Sequence, residues 1–164
     1  MALQSKMIVY AALVGVLALM GGIFYYGSLD NLQLEQVEIE LTNVELMDVN
    51  TIDNQAKFDV TFLIKNPSDK TFTVPLIEYQ LYGDGILLGS GEYSTVDISM
   101  PGRAAFFPDA EIPLKSVFFL SKSEVNSEIY QAVIENRITK FSAEGIITTQ
   151  STWLTIEKEF KTGF

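Results

Sequence analysis

Apolar and polar positions fall into two regimes along the chain. Residues 7–26, MIVYAALVGVLALMGGIFYY, carry no charge. At 1.5 Å rise per residue they span about 30 Å, the thickness of a bilayer's hydrocarbon core, and predict one transmembrane helix. A short linker over 27–33 follows. From there the period is two. Val37, Ile39 and Leu41 alternate with Glu38, Glu40 and Thr42, the mark of a half-buried strand. In the next strand Phe58, Val60, Phe62 and Ile64 point one way, and Asp59, Thr61, Leu63 and Lys65 point the other. Asn66-Pro67 ends it, because proline has no N–H for the ladder and restricts the residue before it. Strand pattern resumes over 71–74, meets Pro75, and continues with Ile77, Tyr79 and Leu81 on one face. Asp84-Gly85 predicts a hairpin turn. The return strand covers 86–88 and closes in Gly89-Ser90-Gly91. Another pair is expected over 95–99 and 104–114, joined by Pro101-Gly102.

One segment looks helical within this region. Ser121-Lys122-Ser123-Glu124 has the form of a capping box, and Val125, Ile129, Ala132 and Val133 recur at spacings of three and four. The expected helix covers 122–137. Strands over 139–149 and 153–160 close the chain. Seven or eight short strands predict an antiparallel, immunoglobulin/fibronectin-like β-sandwich with one helix, preceded by a single transmembrane helix. The boundaries are 1–29 for the anchor and 30–164 for the sandwich. The Cys…Trp…Cys pattern of true immunoglobulin domains is missing.

The strand 58–65 running into Asn66-Pro67, then Tyr79-Gln80-Leu81-Tyr82, Gly85 and Gly89, resembles the group 2 late embryogenesis abundant proteins, also described as the water stress and hypersensitive response domain. The late helix and two closing strands fit as well, and the resemblance covers about 34–162. It implies a fibronectin-like sandwich without a known catalytic centre, a link to desiccation and stress tolerance, and in many members an N-terminal transmembrane helix. No functional residue carries over, because Asn66, Pro67, Tyr79, Gly85 and Gly89 form a structural motif.

Charge adds topology. The net charge is −10, from 21 acidic and 11 basic residues, and no acid precedes Asp30. Seven acids lie between Asp30 and Lys57, the next basic residue after Lys6. The bias puts the N-terminus in the cytoplasm and the C-terminal domain outside the cytoplasmic membrane. A cleaved signal peptide and a buried core helix are the competing readings of 7–26, although a signal's apolar region is shorter. So acidic a chain repels nucleic acid, whose binding rests on Lys and Arg, and bare anionic lipid.

The chain has no Cys and no His. Thiolate sites, and the usual proton shuttle and zinc ligand, are therefore excluded. No cofactor motif is present. Asp48, Asn50 and Asp53 loosely resemble a calcium loop but lack its glycine and distal glutamate, so an Asx-rich turn is preferred. Ser121-Lys122-Ser123 reads as a cap before it reads as a nucleophile. Phe106-Phe107 and Phe118-Phe119 each put one ring in the core and leave the other free. Phe107, Phe119 and Trp153 are therefore candidate contact residues.

These patterns predict a membrane-anchored, non-catalytic binding or scaffold protein whose partners are other membrane proteins. It would serve as an accessory subunit of a larger complex or as a stress-protective module. The alternative is a carrier of lipid or an apolar small molecule in a cleft of the sandwich.

Overall fold

A computed structural model describes residues 2–97, 102–152 and 154–164, leaving aside the side chains of 2–5 and 27–32. Helix α1 (Ala2–Leu34) comes first, then β1 (Glu38–Asn50), β2 (Gln55–Lys65), β3 (Phe72–Gly83), β4 (Ile86–Ser94), β5 (Ala105–Phe106) and β6 (Glu111–Ser121). Helix α2 (Ser127–Ile134), β7 (Phe141–Gln150) and β8 (Thr155–Gly163) complete the chain. The strands form two antiparallel sheets. One has the order β1-β2-β6; the other runs β4-β3-β7-β8, with β5 paired to the start of β3. The architecture is the expected sandwich with one late helix.

Within α1, Lys6–Tyr26 is apolar, exposed and long enough to cross a membrane, a property that signal sequences share. The expected linker at 27–33 is instead helical. No proline interrupts it, and extending a nucleated helix costs little per residue. The helix ends at Leu34, which is fully buried and already belongs to the sandwich core, as does Val37.

Bulges let strands keep apolar residues inside across changes of parity. Two register shifts in β1 turn Leu41, then Val44 and Leu46, then Val49 toward the core. In β3 a shift between Thr73 and Leu76 absorbs Pro75, so one strand runs on through the proline, as the pattern on either side of it led one to expect. Strand β4 does not close at Gly89–Gly91. An extra residue, Leu88, is accommodated between the pairs Tyr82–Leu87 and Leu81–Gly89, and pairing continues to Ser94. The Asp84-Gly85 turn forms as expected, with φ of 48° and 82°.

Three further expectations change. The strand expected over 104–114 splits at a turn through Asp109, whose φ is 60°, into β5 and β6. The strand expected over 95–99 does not begin at 95–97, where Val96 and Asp97 form a turn; residues 98–101, with Pro101 of the expected turn, lie outside the described residues. The helix expected over 122–137 is shorter, and its cap is Asn126, which accepts a bond from Glu128 N–H. Ser121 is the last residue of β6, paired with Gln55. The ladder to β2 outcompetes the capping box there.

The core is aromatic. Phe62 meets Tyr79 edge-on at 4.9 Å and Phe160 at 5.9 Å. Phe72 stacks on Phe106 at 5.4 Å. Helix α2 buries Tyr130 and Val133, so it is part of the core. The sheets are stitched along both edges. Leu41 N–H donates to Thr162 Oγ1 (3.1 Å), and Lys158 Nζ donates to the Val37 carbonyl (2.6 Å), which joins β1 to β8. On the other edge Ser116 of β6 donates to the Glu92 carbonyl of β4 (2.8 Å). These bonds satisfy backbone groups that an open sheet edge would expose.

Candidate functional site

The antiparallel order divides the surface into two ends. The proximal end, where α1 enters, holds the 66–71 corner, residues 95–97 and 102–110, the end of β7 and the start of β8. The distal end holds the β1–β2 turn, the Asp84-Gly85 hairpin and the segment containing α2.

Asn66 is buried at the proximal end and links two segments. Its Nδ2 donates to the carbonyls of Lys70 (2.7 Å), Phe106 (2.9 Å) and Phe107 (3.1 Å). Its Oδ1 accepts from Ser68 N–H (3.0 Å) and Ser68 Oγ (2.6 Å). The backbone adds Asn66 N–H to Ala110 O and Asp109 N–H to Asn66 O. Asn66 thus closes its own corner and holds the loop that carries Phe107. Proline at 67 is exposed. The sequence marks the corner but not the second role, since its partners lie 40 residues away.

Tyr79 crosses the sandwich. Its hydroxyl donates to Ser116 Oγ at 3.0 Å, and burial pushes the phenol's pKa up. Ser116 was legible only as a polar residue at an inward position between Leu114 and Phe118. Tyr79→Phe should cost about 0.5–1.5 kcal/mol, the usual net worth of one hydrogen bond. Ser116 keeps its bond to Glu92, and a denaturant melt measures the difference. Gly85 sits in the hairpin and Gly89 beside the Leu88 bulge. Asp84 ties that hairpin to the start of β7 by accepting from Lys140 N–H (3.0 Å) and Thr139 Oγ1 (3.1 Å).

The β1–β2 turn spends its polar groups on itself. Asn50 Oδ1 accepts from Ile52 and Asp53 N–H, and Asn50 Nδ2 donates to Asp53 Oδ2 at 2.7 Å. Asp48 is exposed and stands opposite Lys57. Among the described residues no group of three or more acids is arranged to hold a metal.

Phe107 and Phe119 are not brought together. Phe106 and Phe118 are buried, while Phe107 is 63% and Phe119 51% exposed. Phe107 is at the proximal end; Phe119 lies toward the distal end of β6, beside exposed Val117. Trp153 lies outside the described residues.

Between the sheets, where a carrier would hold an apolar ligand, Phe62 packs against Tyr79 and Phe160. An open groove of about 970 Å³ lies instead over the β4-β3-β7-β8 sheet. Glu78, Glu92, Glu144 and Glu159 border it, with Lys161 as the single base in its lining. Tyr82 Oη (2.6 Å) and Lys161 (2.9 Å) hold the Glu144 carboxyl below its ordinary pKa, the tyrosine bond contributing most. Gly145 lies so close to β3 that a Cβ there would strike the Glu78 carbonyl oxygen.

The chain is similar in fold to several solved structures. A protein from Arabidopsis thaliana, solved in solution, has a TM-score of 0.52 and 15% identity, covering 77% of this chain and 80% of its own. A crystal structure from Archaeoglobus fulgidus has a TM-score of 0.47 and 17% identity, over 76% of this chain and 94% of its own. A candidate late embryogenesis abundant protein has a TM-score of 0.39 and 13% identity, over 94% and 84%. At such identities the likeness is one of fold. No protein-family model and no curated protein matches the chain.

Proposed function

We propose that the protein is a single-pass, membrane-anchored binding or scaffold protein related to the group 2 late embryogenesis abundant proteins. Its sandwich lies outside the cytoplasm and works by contact with other membrane proteins, without turning over a substrate. The observation that carries this reading is α1. Its apolar stretch Lys6–Tyr26 is wholly exposed, so water is not its solvent, and the same helix continues to the fully buried Leu34. A span that buries nothing in its own domain requires lipid or a partner helix. The acids that begin at Asp30 support the orientation. The absence of His and Cys and the self-satisfied polar clusters support binding over catalysis.

Full-length protein should stay with membranes through alkaline carbonate. External protease on spheroplasts should remove the sandwich, and mild detergent should extract a species larger than one chain plus its micelle. Release by carbonate would end the anchor reading. Protection from protease would reverse the orientation, and a strictly monomeric extract would count against the complex subunit.

A further inference from the structure

We propose that the proximal end of the five-stranded sheet rests in the headgroup layer of the membrane that α1 crosses, with Phe107 and Val96 entering it. The inference rests on the anchor reading and adds a lipid contact made by the sandwich itself.

The geometry comes from register. Leu41 bonds Thr162 and Val37 bonds Lys158, each pair at the same offset of 121 residues. Strands β1 and β8 therefore run parallel and in step, with Val37 level with Lys158. Below that level β8 continues to Thr155, which pairs with Gln150, and Gln150 with Thr73. One step further, Phe72 pairs with Phe106. Four strand steps at about 3.3 Å carry this sheet about 13 Å below Val37.

The anchor sets the other length. From Tyr26, the end of the apolar stretch, residues 27–34 continue as helix, about 12 Å at 1.5 Å per residue. The turn through 35–37 adds about 6 Å at the roughly 2 Å rise of a tight turn. With α1 and the strands both taken along the membrane normal, Val37 stands about 18 Å above the hydrocarbon edge. The sheet's lower edge falls about 5 Å above it, inside a headgroup layer about 5–7 Å thick. Phe107 follows Phe106 directly and is 63% exposed; Val96 is 56% exposed at the same end. Asn66 holds the Phe107 loop in place through two carbonyls. An aromatic ring at this depth matches the interfacial preference of such side chains. Asp69, Asp97 and Asp109 are exposed at this end too. They favour zwitterionic over anionic headgroups.

The chain lacks cysteine, so Phe107→Cys, Val96→Cys and Ile52→Cys each give one labelling site on the full protein. Ile52 is 88% exposed at the distal end and serves as the reference. Each variant is labelled with an environment-sensitive fluorophore and reconstituted in phosphatidylcholine vesicles with or without a headgroup-region nitroxide lipid. Labels at 107 and 96 should emit to the blue and be quenched several-fold more than the label at 52. Equal, water-like emission at all three sites from carbonate-resistant protein would overturn this inference and leave the anchor intact. Blue emission without lipid quenching would overturn it in favour of protein contact. Protein that carbonate releases would remove the anchor reading and this inference with it.

Discussion

Phe62→Ala should lower the unfolding free energy of the sandwich by about 3–5 kcal/mol, the usual cost of emptying a buried phenylalanine site. Phe62 lies on the central strand of its sheet, is fully buried, and is the ring that both Tyr79 and Phe160 meet edge-on. Tyr79 is fixed by Ser116, so the neighbours on that side are poorly placed to collapse into the gap. Asp59, of opposite parity on the same strand, is only partly buried. Its replacement by alanine should stay within about 0.5 kcal/mol. Denaturant melts of residues 30–164 measure both, since Leu34 and Val37 stay in that fragment. The fragment itself should be soluble and rich in β structure, which circular dichroism checks. Equal effects at the two positions would invert the register of β2.

Asn66→Asp should be about as damaging at neutral pH, although the side chains have the same shape. The substitution replaces an NH₂ that serves three carbonyls with an oxygen that repels them. Each buried carbonyl left without a donor costs about 1–3 kcal/mol, and an ion among them costs more. Surrounding carbonyls favour the protonated acid, so the folded pKa of the new carboxyl is raised above its unfolded value. Stability lost at neutral pH should therefore return as the pH falls through the raised folded pKa, with the recovery complete below the unfolded value. Melts of the variant and parent protein across acidic pH test this. A constant difference between them would mean that the corner is open to water and that Asn66 does not hold it.

The fold was legible where one physical signal dominated. Strand β2 alternates without interruption, and all of its inward residues are buried; Thr61, of the other parity, is buried as well. The Phe106-Phe107 and Phe118-Phe119 pairs divided between core and surface as parity requires. Where two signals competed, the sequence alone chose wrongly. The capping box at Ser121 is a local preference, but pairing with Gln55 extends β6 through that residue, and Asn126 caps the helix later. The helical stretch at 27–33 looked like a linker because the charge-free run ends at Tyr26 and strand alternation begins only at Val37, yet α1 continues through it to the buried Leu34. The bulge at Leu88 hid the length of β4, since an added residue resets the alternation that marks a strand. Of the candidate site, the corner motif was visible and its reach was not. Contacts such as Asn66 to Phe106 and Tyr79 to Ser116 depend on which strands become neighbours.

The stitching of β1 to β8 has a consequence for how the protein is made. The first strand to emerge is completed by the last, so during synthesis β1 waits with one edge open while more than a hundred residues are added. Long-range pairing of this kind is slow, because a large loop must close before any contact rewards it. A chain already held by its N-terminal helix would meet that delay beside other nascent chains at the same membrane, with an unpaired edge of the sort that seeds misassembly. The acids at Glu38, Glu40 and Glu45 lie along that waiting strand, and like charge discourages a second copy from pairing with it before β8 arrives.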